Sequence, residues 1–258
     1  MKYLDKINNP KDLKKIPVGE LAEVCGELRK YIIDTINQIG GHLAPTLGTI
    51  ELTTAIHYVF DAPKDKIVWD TGHQAYAHKV LTGRFSEFPT IRKYKGLSGF
   101  LKRSESEYDI FGAGHASTSI SAALGIASAR NLNDDDYKVV SIIGDGALSG
   151  GLAFEALNNA GNVRKQLLVI VNDNDMSISP NLGAFRNYLV KIATNKKYNQ
   201  IRKWVYRSIK RFPSKFFVNI LRKTEASAKK FFFPTTIFED LGFRYFGPID
   251  GHNIEELI

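Results

Sequence analysis

Apolar residues near the start of the chain are spaced as in an amphipathic helix. Between residues 21 and 39 they recur every three or four positions, which places them on one helical face. Gly40 and Gly41 follow, and glycine is common just past the last turn of a helix. We therefore predict a helix over about 21–39 and a second one over about 49–60. A stretch rich in Ala and Ser predicts a third helix over about 118–130.

Three short runs contain consecutive apolar residues rather than apolar residues at alternate positions. They cover residues 66–70, 138–143 and 167–171. Continuous apolar runs are typical of parallel strands that are buried on both faces of a sheet. Helical segments separate them, the last at about 151–160. This alternation predicts an α/β fold with a doubly wound, mostly parallel sheet.

Several single residues and one later segment fall outside this main pattern. His57 lies in the predicted second helix, and we expect it to be a packed helical residue. His78 is predicted to be structural, His252 to be a capping or turn residue, and Cys25 to be inert and buried. Residues 238–246 predict the end of a helix followed by a strand.

Composition excludes several classes of protein. The 258 residues include 35 Lys and Arg, 27 Asp and Glu, and one Cys. An apolar fraction of 43% with 24% charged residues is ordinary for a globular protein and excludes wholesale disorder. One cysteine excludes an intramolecular disulfide and a multi-cysteine metal site. No apolar stretch reaches the roughly 20 residues of a membrane-spanning helix, and the N-terminus lacks a secretory signal, so we expect a cytoplasmic protein.

The positive charge is concentrated in one segment. Residues 186–230 carry 14 of the basic residues and a single acidic one, Glu225, whereas acidic residues outnumber basic ones in the rest of the chain. The segment predicts two surface helices that form a basic insert. A basic stripe can bind nucleic acid or a membrane, or it can be a solvated helical face. No nucleic-acid-reading motif is present and the rest of the chain is acidic, so we do not expect nucleic acid as a partner. We do not expect a membrane as a partner either.

Glycine and polar residues follow two of the predicted strands. Gly144, Asp145 and Gly146 end the second strand, and Asn174 follows the third, with 27 residues between Gly146 and Asn174. Open α/β sheets bind ligands at this edge. A carboxylate and an amide oxygen, completed by phosphate oxygens, suit Mg²⁺, and a helix starting near Gly150 would direct its first amides at a phosphate. The alternative is two unrelated turns, with Asp145 as a capping residue.

These residues belong to segments that resemble a known family. The GDG sequence and the later Asn are similar to the thiamine diphosphate motif, here IGDGALSGGLAFEALNNAGN followed by LLVIVNDNDMSIS. The segments GGHLAPTLG, GHQAYAHK and GHASTSIS resemble the 1-deoxy-D-xylulose-5-phosphate synthase family. The resemblance covers about residues 17–258 and favours this family over transketolase, which shares its general plan.

The resemblance implies a fold, a reaction and two cofactors. The fold is the thiamine diphosphate-binding fold, and this chain resembles its diphosphate-binding domain. The implied enzyme is a transferase that joins pyruvate to D-glyceraldehyde 3-phosphate and yields carbon dioxide and 1-deoxy-D-xylulose 5-phosphate. Thiamine diphosphate and Mg²⁺ are the implied cofactors, and a homodimer is expected for the complete enzyme. The product would feed the synthesis of isoprenoid precursors, thiamine and pyridoxal phosphate.

The resemblance also assigns residues to the metal and the diphosphate. It implies that Asp145 and Asn174 bind Mg²⁺, with the main-chain carbonyl of Met176 as a third ligand. It implies that Gly146 and Ala147 line the diphosphate, and that Asn174 belongs to the cofactor site as well.

Three histidines receive roles in the same way. The resemblance implies that His73 and the turn formed by Gly114, His115 and Ala116 contact the cofactor. It places His42 at the reacting centre, as a group that transfers a proton or orients a phosphate, and it gives His115 a catalytic role beside its cofactor contact. The family often has Ser where Ala116 stands, so only a backbone contact is expected there.

The resemblance implies sequence that this chain does not contain. The family continues with a pyrimidine-binding domain, which carries the glutamate that activates the cofactor ring, and with a C-terminal domain. We expect 1–258 to be an incomplete diphosphate-binding domain with a basic helical insert at about 186–230. We expect it to be truncated within the helix capped by Asn253, and inactive alone. One half of a split transketolase-like enzyme and a non-catalytic cofactor-binding module remain as alternatives.

Overall fold

The computed structural model describes four parts of the chain: residues 1–163, 166–174, 188 and 236–258. Two compact units are present. The first comprises Met1–Pro180 and Ile249–Ile258, and the second comprises Asn181–Pro248. Apart from Tyr188, the basic insert predicted at 186–230 lies outside the described residues.

Helices and strands alternate along the described residues. The helices are α1 (Pro10–Leu13), α2 (Leu21–Ile39), α3 (Ala44–Leu47), α4 (Ile50–Val59), α5 (Tyr76–Lys79), α6 (Ser119–Leu132), α7 (Asp145–Leu148), α8 (Gly151–Val163), α9 (Ile237–Asp240) and α10 (Ile254–Leu257). The strands are β1 (Lys66–Trp69), β2 (Val139–Gly144) and β3 (Leu168–Asn172). None of these described helices is both long enough and apolar enough to cross a membrane.

The three strands form one parallel sheet in the order β1-β2-β3. Lys66 pairs with Val139, and Val140 pairs with Leu168. Two helices separate β1 from β2, and two more separate β2 from β3, as parallel strands require crossover connections. Each strand begins and ends within one residue of its predicted position, so the strands and their parallel arrangement are confirmed.

Helices cover both faces of β1 and β2, whereas the described residues bury β3 only partly. On one face α4 packs with Ile67 and Trp69. On the other face α6 packs with Val68 and Val139. Since successive side chains of a strand point to opposite faces, a sheet covered on both sides needs apolar residues at every position. This arrangement confirms the predicted α/β fold with a doubly wound sheet.

The first long helix matches its prediction. In α2 the apolar stripe that includes Cys25 and Ile32 is buried. Burial raises the pKa of the Cys25 thiol to about 11, which agrees with an inert packing residue. The helix ends at Gly40, which adopts a left-handed φ of 77° and donates its N–H to the Ile36 carbonyl. The helices predicted at 49–60 and 118–130 are observed as α4 and α6.

A group of charged and imidazole side chains is buried between α4, α5 and the residues that follow α5. We call it the buried ionic network; its members are His57, His78, Lys79, Arg84, Glu105 and Asp109. Arg84 donates hydrogen bonds of 2.9 Å to both carboxylate oxygens of Asp109. Burying these charges is tolerable only because each is paired.

The same network fixes the protonation of two histidines. Burial opposes ionisation of Asp109, but hydrogen bonds from His78 and Arg84 outweigh it and lower the pKa of the carboxyl group. Because an ionised carboxylate only accepts, His78 donates from Nε2 over 3.2 Å and accepts at Nδ1 from His57 Nε2 over 2.9 Å. Burial lowers the pKa of both imidazoles, so both are neutral at pH 7. Their predicted structural roles are confirmed.

The last residues of the first unit are tied to α4. Asn253 caps α10, since its side chain accepts from the Glu256 N–H. His252 lies in a turn, as predicted, and its Nδ1 also contacts Glu51 Oε2 at 3.0 Å. Glu51 is paired with Arg29 as well. This contact between His252 and Glu51 had no signal in the sequence.

The second unit contributes α9, which begins with a reciprocal capping box between Thr236 and Glu239. The predicted helix end is confirmed, but the strand predicted to follow it is wrong, because residues 241–248 are not a strand. Arg244 instead lies over the Phe246 ring, 4.6 Å from its centroid. A strand needs a hydrogen-bonded neighbour, and the described residues of this unit offer none.

Candidate functional site

Polar residues lie where each of the three strands ends. Asp70 follows β1 directly, Asp145 follows β2 directly, and Asn174 comes two residues after β3. Because the strands are parallel neighbours and Gly144 pairs with Asn172, these ends share one edge of the sheet. The structure therefore brings Asp145 and Asn174 to the same edge, as their spacing predicted. It adds Asp70, which the sequence analysis did not single out.

Asp145 begins a helical turn. The sequence predicted a helix only from about Gly150, whereas α7 starts at Asp145 itself and α8 starts at Gly151. Gly146 is exposed and Ala147 is half-buried. Backbone amides and small residues are therefore accessible directly after β2, at the edge where parallel sheets bind ligands.

Asn174 is held between two neighbours. Its Oδ1 accepts a 2.9 Å hydrogen bond from Asn172 Nδ2. On another side it lies so close to Gly48 that a methyl group there would overlap the amide. Gly48 therefore matters for its missing side chain, and the segment that carries His42 closely approaches the end of β3.

His42 and His73 form a pair of half-buried imidazoles. Their ring centroids are 5.6 Å apart in an edge-to-face arrangement, and Phe100 lies 5.8 Å from His42. Nδ1 of both rings is buried and has no hydrogen-bond partner among the described residues. Burial, reinforced by the positive charge of Arg92, lowers the pKa of His42; burial and then His42 lower the pKa of His73. Both rings are therefore neutral at pH 7.

Hydroxyl groups of the α3–α4 segment fix the backbone around His73. Thr46 Oγ1 donates to the His73 carbonyl at 3.0 Å, and Thr49 Oγ1 donates to the Gln74 carbonyl at 2.9 Å. From the other side, the Tyr76 hydroxyl accepts a 3.4 Å hydrogen bond from the His42 N–H. These bonds join the two histidine segments, which are far apart in sequence, into one structural element.

The turn over residues 114–117 supplies the remaining predicted positions. Gly114, His115 and Ala116 are exposed, with Gly114 at a φ of 151°. Ser117 is buried, adopts a left-handed φ of 70°, and donates from Oγ to the Ala147 carbonyl at 2.6 Å. This bond brings the turn that carries His115 next to residues 145–147 of α7.

One predicted ligand lies outside this geometry. Met176 is not among the described residues. Within the described parts of the chain, no three His, Cys, Asp or Glu side chains gather as a metal site. Asp145 with the Asn174 amide is a donor set that fits Mg²⁺ when phosphate oxygens complete the coordination.

Sequence reasoning missed Asp70, Gly48 and Ser117. The rule that identified Asp145, a polar residue directly after a buried strand, applies equally to Asp70. Gly48 and Ser117 offered no such signal, because their importance comes from contacts with Asn174 and Ala147, more than 25 residues away in the chain.

Known proteins resemble this chain over nearly its whole length. Residues 4–258 match the family model of 1-deoxy-D-xylulose-5-phosphate synthase. The synthase of Carboxydothermus hydrogenoformans is 56% identical over 257 residues, and those of Alkaliphilus oremlandii and Thermomicrobium roseum are 52% and 53% identical over 258 residues. Each alignment covers 99% of this chain and 41% of the relative, so the chain spans about two fifths of their length.

A solved structure shows the same fold. A transketolase mutant from Pichia stipitis superposes with a TM-score of 0.58 at 18% sequence identity, covering 67% of this chain and 30% of that one. At this identity the likeness concerns the fold alone, and it agrees with the parallel sheet covered by helices. The family match over residues 4–258 goes further: the chain belongs to the 1-deoxy-D-xylulose-5-phosphate synthase family.

Proposed function

We propose that the protein carrying this chain condenses pyruvate with D-glyceraldehyde 3-phosphate and forms 1-deoxy-D-xylulose 5-phosphate and carbon dioxide. When bound, thiamine diphosphate supplies the electron sink for decarboxylation, and the protein supplies binding, orientation and proton transfer. In this proposal the present chain is the diphosphate-binding part of the enzyme, with a basic insert at about 186–230. Additional sequence contributes the pyrimidine-binding and C-terminal domains.

The observation that carries the proposal is the placement of Asp145 and Asn174 at neighbouring strand ends in a chain of this family. In the proposal these two side chains and the main-chain carbonyl of Met176 hold Mg²⁺. Gly146 and Ala147 line the diphosphate, because an exposed glycine lets phosphate oxygens approach the backbone closely. The single carboxylate leaves room for the negative charge that the diphosphate itself brings.

The histidines provide the proton chemistry in this proposal. His73 contacts the cofactor together with the Gly114–Ala116 turn, and His115 has a catalytic role as well. His42 transfers a proton or orients a substrate phosphate at the reacting centre. Its lowered pKa supports this role, because a neutral imidazole can take a proton at pH 7. The buried Nδ1 atoms of His42 and His73 have no partner in the described residues, which suits groups that await a ligand.

We further propose that the complete enzyme is a cytoplasmic homodimer. Its product would enter the synthesis of isoprenoid precursors, thiamine and pyridoxal phosphate. Family membership supports this setting, and the proposal includes neither a nucleic acid nor a membrane as partner.

Product formation tests the proposal. The purified protein that carries this chain should convert pyruvate and D-glyceraldehyde 3-phosphate to 1-deoxy-D-xylulose 5-phosphate, measured by mass spectrometry. Omission of Mg²⁺, thiamine diphosphate or either substrate should abolish the signal. A split enzyme would need a second polypeptide for product, and a non-catalytic module would bind the cofactor without any product.

A matched pair of variants links the activity to this edge of the sheet. Asp145→Ala should abolish product formation, because it removes the charged ligand of the proposed metal site. Asp135→Ala changes an exposed acid in the loop before β2, at the opposite edge of the sheet, and should leave activity unchanged. Full activity of Asp145→Ala would contradict the proposed site.

A further inference from the structure

We propose that Asp70 is a positioning residue of this site. Its carboxylate acts together with the Ser117 side chain to fix the 114–117 turn against residues 145–147 of α7, and thereby sets the affinity for thiamine diphosphate. The inference deepens the proposed function and depends on it. Neither Asp70 nor Ser117 needs to touch the cofactor for this role.

The Asp70 carboxylate is buried and accepts three hydrogen bonds, two of them from backbone amides in and just after this turn. Only 1% of the residue is exposed. Oδ1 accepts from the Ser117 N–H at 2.8 Å and from the Thr71 hydroxyl at 3.0 Å, and Oδ2 accepts from the Ser119 N–H at 2.9 Å. A buried carboxylate is costly unless such bonds compensate it, so these partners are what make the burial of Asp70 possible.

Asp70 replaces the ordinary cap of α6. The residue at the N-cap position is Thr118, and it makes no capping hydrogen bond with its side chain. Asp70 satisfies the amides on either side of it, from 47 and 49 positions earlier in the chain. A negative charge at the start of a helix is also favourable for the helix dipole. The end of β1 is thus joined directly to the turn that carries His115.

Ser117 connects the 114–117 turn to the start of α7. Its left-handed φ of 70° is unfavourable for a residue with a side chain, and it persists only where surrounding contacts hold it. Asp70 holds the Ser117 amide, and Ser117 Oγ donates to the Ala147 carbonyl at 2.6 Å. Gly150 packs against the hydroxyl so closely that a methyl group there would overlap it. The 114–117 turn and residues 145–147 of α7 therefore cannot separate without breaking these contacts.

The opposite end of β1 offers a matched control. Asp65 is also buried, with 8% of the residue exposed, and its carboxylate also accepts two backbone hydrogen bonds. The donors are the N–H groups of Asp61 and Lys138, each at 2.7 Å. Asp65 lies at the amino edge of the sheet, away from the proposed site. Both carboxylates stabilise the fold through backbone hydrogen bonds, but only those of Asp70 lie next to the proposed site.

The experiment compares Asp70→Asn with Asp65→Asn in the complete protein that carries this chain. An amide cannot accept at both positions, so each variant loses one backbone hydrogen bond and some thermal stability. Calorimetric titration with thiamine diphosphate at saturating Mg²⁺ should give a Kd about 10–100-fold weaker for Asp70→Asn, the usual effect of groups that orient ligand-binding residues. At saturating cofactor its kcat should recover most of the wild-type value. Asp65→Asn should keep the wild-type Kd.

Two results would overturn the inference. One is a wild-type Kd for folded Asp70→Asn, and the other is an equal loss of affinity in both variants, which would reflect general destabilisation. Failure of the wild-type protein to bind the cofactor would instead refute the proposed function itself. The two failures are therefore distinguishable.

A second set of variants applies even if Asp70→Asn does not fold. Gly150→Ala should weaken cofactor binding because its methyl group displaces the Ser117 hydroxyl. Ser117→Gly removes that hydroxyl and also suits the left-handed backbone. The double variant Gly150→Ala, Ser117→Gly should therefore bind the cofactor more tightly than the product of the two single losses predicts. Simple multiplication of the two losses would contradict the link.

Discussion

Two pairs of histidines lie in opposite surroundings within the first unit. His42 and His73 are half-buried at the carboxyl edge of the sheet. His57 and His78 are fully buried and hydrogen-bonded to each other, and His78 is also hydrogen-bonded to Asp109. Burial lowers the pKa of all four rings, so the direction of the shift does not separate the pairs. The pairs differ in the exposure of their side chains and in their hydrogen bonds.

An unpartnered nitrogen does not separate the pairs either. Nδ1 of His57 is buried and has no hydrogen-bond partner in the described residues, like Nδ1 of His42 and of His73. The tautomer that Asp109 imposes through His78 leaves the His57 atom as an acceptor sealed inside the protein. Of the two pairs, only His42 and His73, which we call the edge pair, combine an unpartnered nitrogen with a partly exposed side chain. These two features together distinguish the pair that we propose to be functional.

The largest effect is expected when a histidine of the edge pair is replaced. His42→Ala should lower kcat by about 10²–10⁴-fold, the usual contribution of general acid–base catalysis, with little change in melting temperature because the ring is half-buried. His78→Ala should do the reverse, with a lower melting temperature and a near-normal kcat in the folded fraction. Steady-state kinetics and thermal unfolding of both variants would decide. Equal kinetic losses in the two variants would contradict the distinction.

A comparable effect on stability is expected from the buried ionic network. Asp109→Ala removes the carboxylate that Arg84 binds with both of its terminal nitrogens. Breaking a buried ion pair costs about 3–5 kcal/mol, and because Arg84 keeps its contact with Glu105 the free energy of unfolding in urea should fall by about 3 kcal/mol. Asp136→Ala, which breaks the exposed pair with Lys64, is the control and should leave the unfolding midpoint nearly unchanged. If Asp109→Ala changed the free energy of unfolding as little as the Asp136→Ala control, the stabilising role of the network would be contradicted.

A smaller effect concerns pH. In the unfolded chain histidine titrates near 6.5, whereas burial lowers the pKa of folded His57 and His78. Below about pH 6.5 the unfolded state binds more protons, so stability is lost as the pH falls. Each residue contributes at most about 1.4 kcal/mol per pH unit. His57→Gln should give a shallower fall between about pH 6.5 and 5 in urea unfolding, and an unchanged slope would contradict the account.

The sequence predicted the parts of the fold that rest on local pattern. The strands were predictable because a sheet buried on both faces needs apolar residues throughout, as at Val139 and Val140. Asp145 and Asn174 were predictable for the same reason, since they follow such runs. The structural roles of His57 and His78 were predictable from their place beside apolar neighbours in helical segments.

The remainder depends on contacts between distant positions. Nothing local announces that Asp70 binds the amide of Ser117, or that Arg84 reaches Asp109. The strand predicted to end near residue 246 failed for a related reason, because a strand exists only with a neighbour and sequence pattern does not reveal one. The roles of the individual site residues stay predictions.

The most direct test of the central claim is calorimetry of cofactor binding at the sheet edge. Thiamine diphosphate is titrated into the complete protein with Mg²⁺, with EDTA in place of Mg²⁺, and into Asp145→Ala with Mg²⁺. We expect saturable binding in the first titration and none in the other two, because Asp145 is the charged ligand of the proposed metal site. The same Kd in Asp145→Ala as in the wild type, or binding that does not depend on Mg²⁺, would contradict the account.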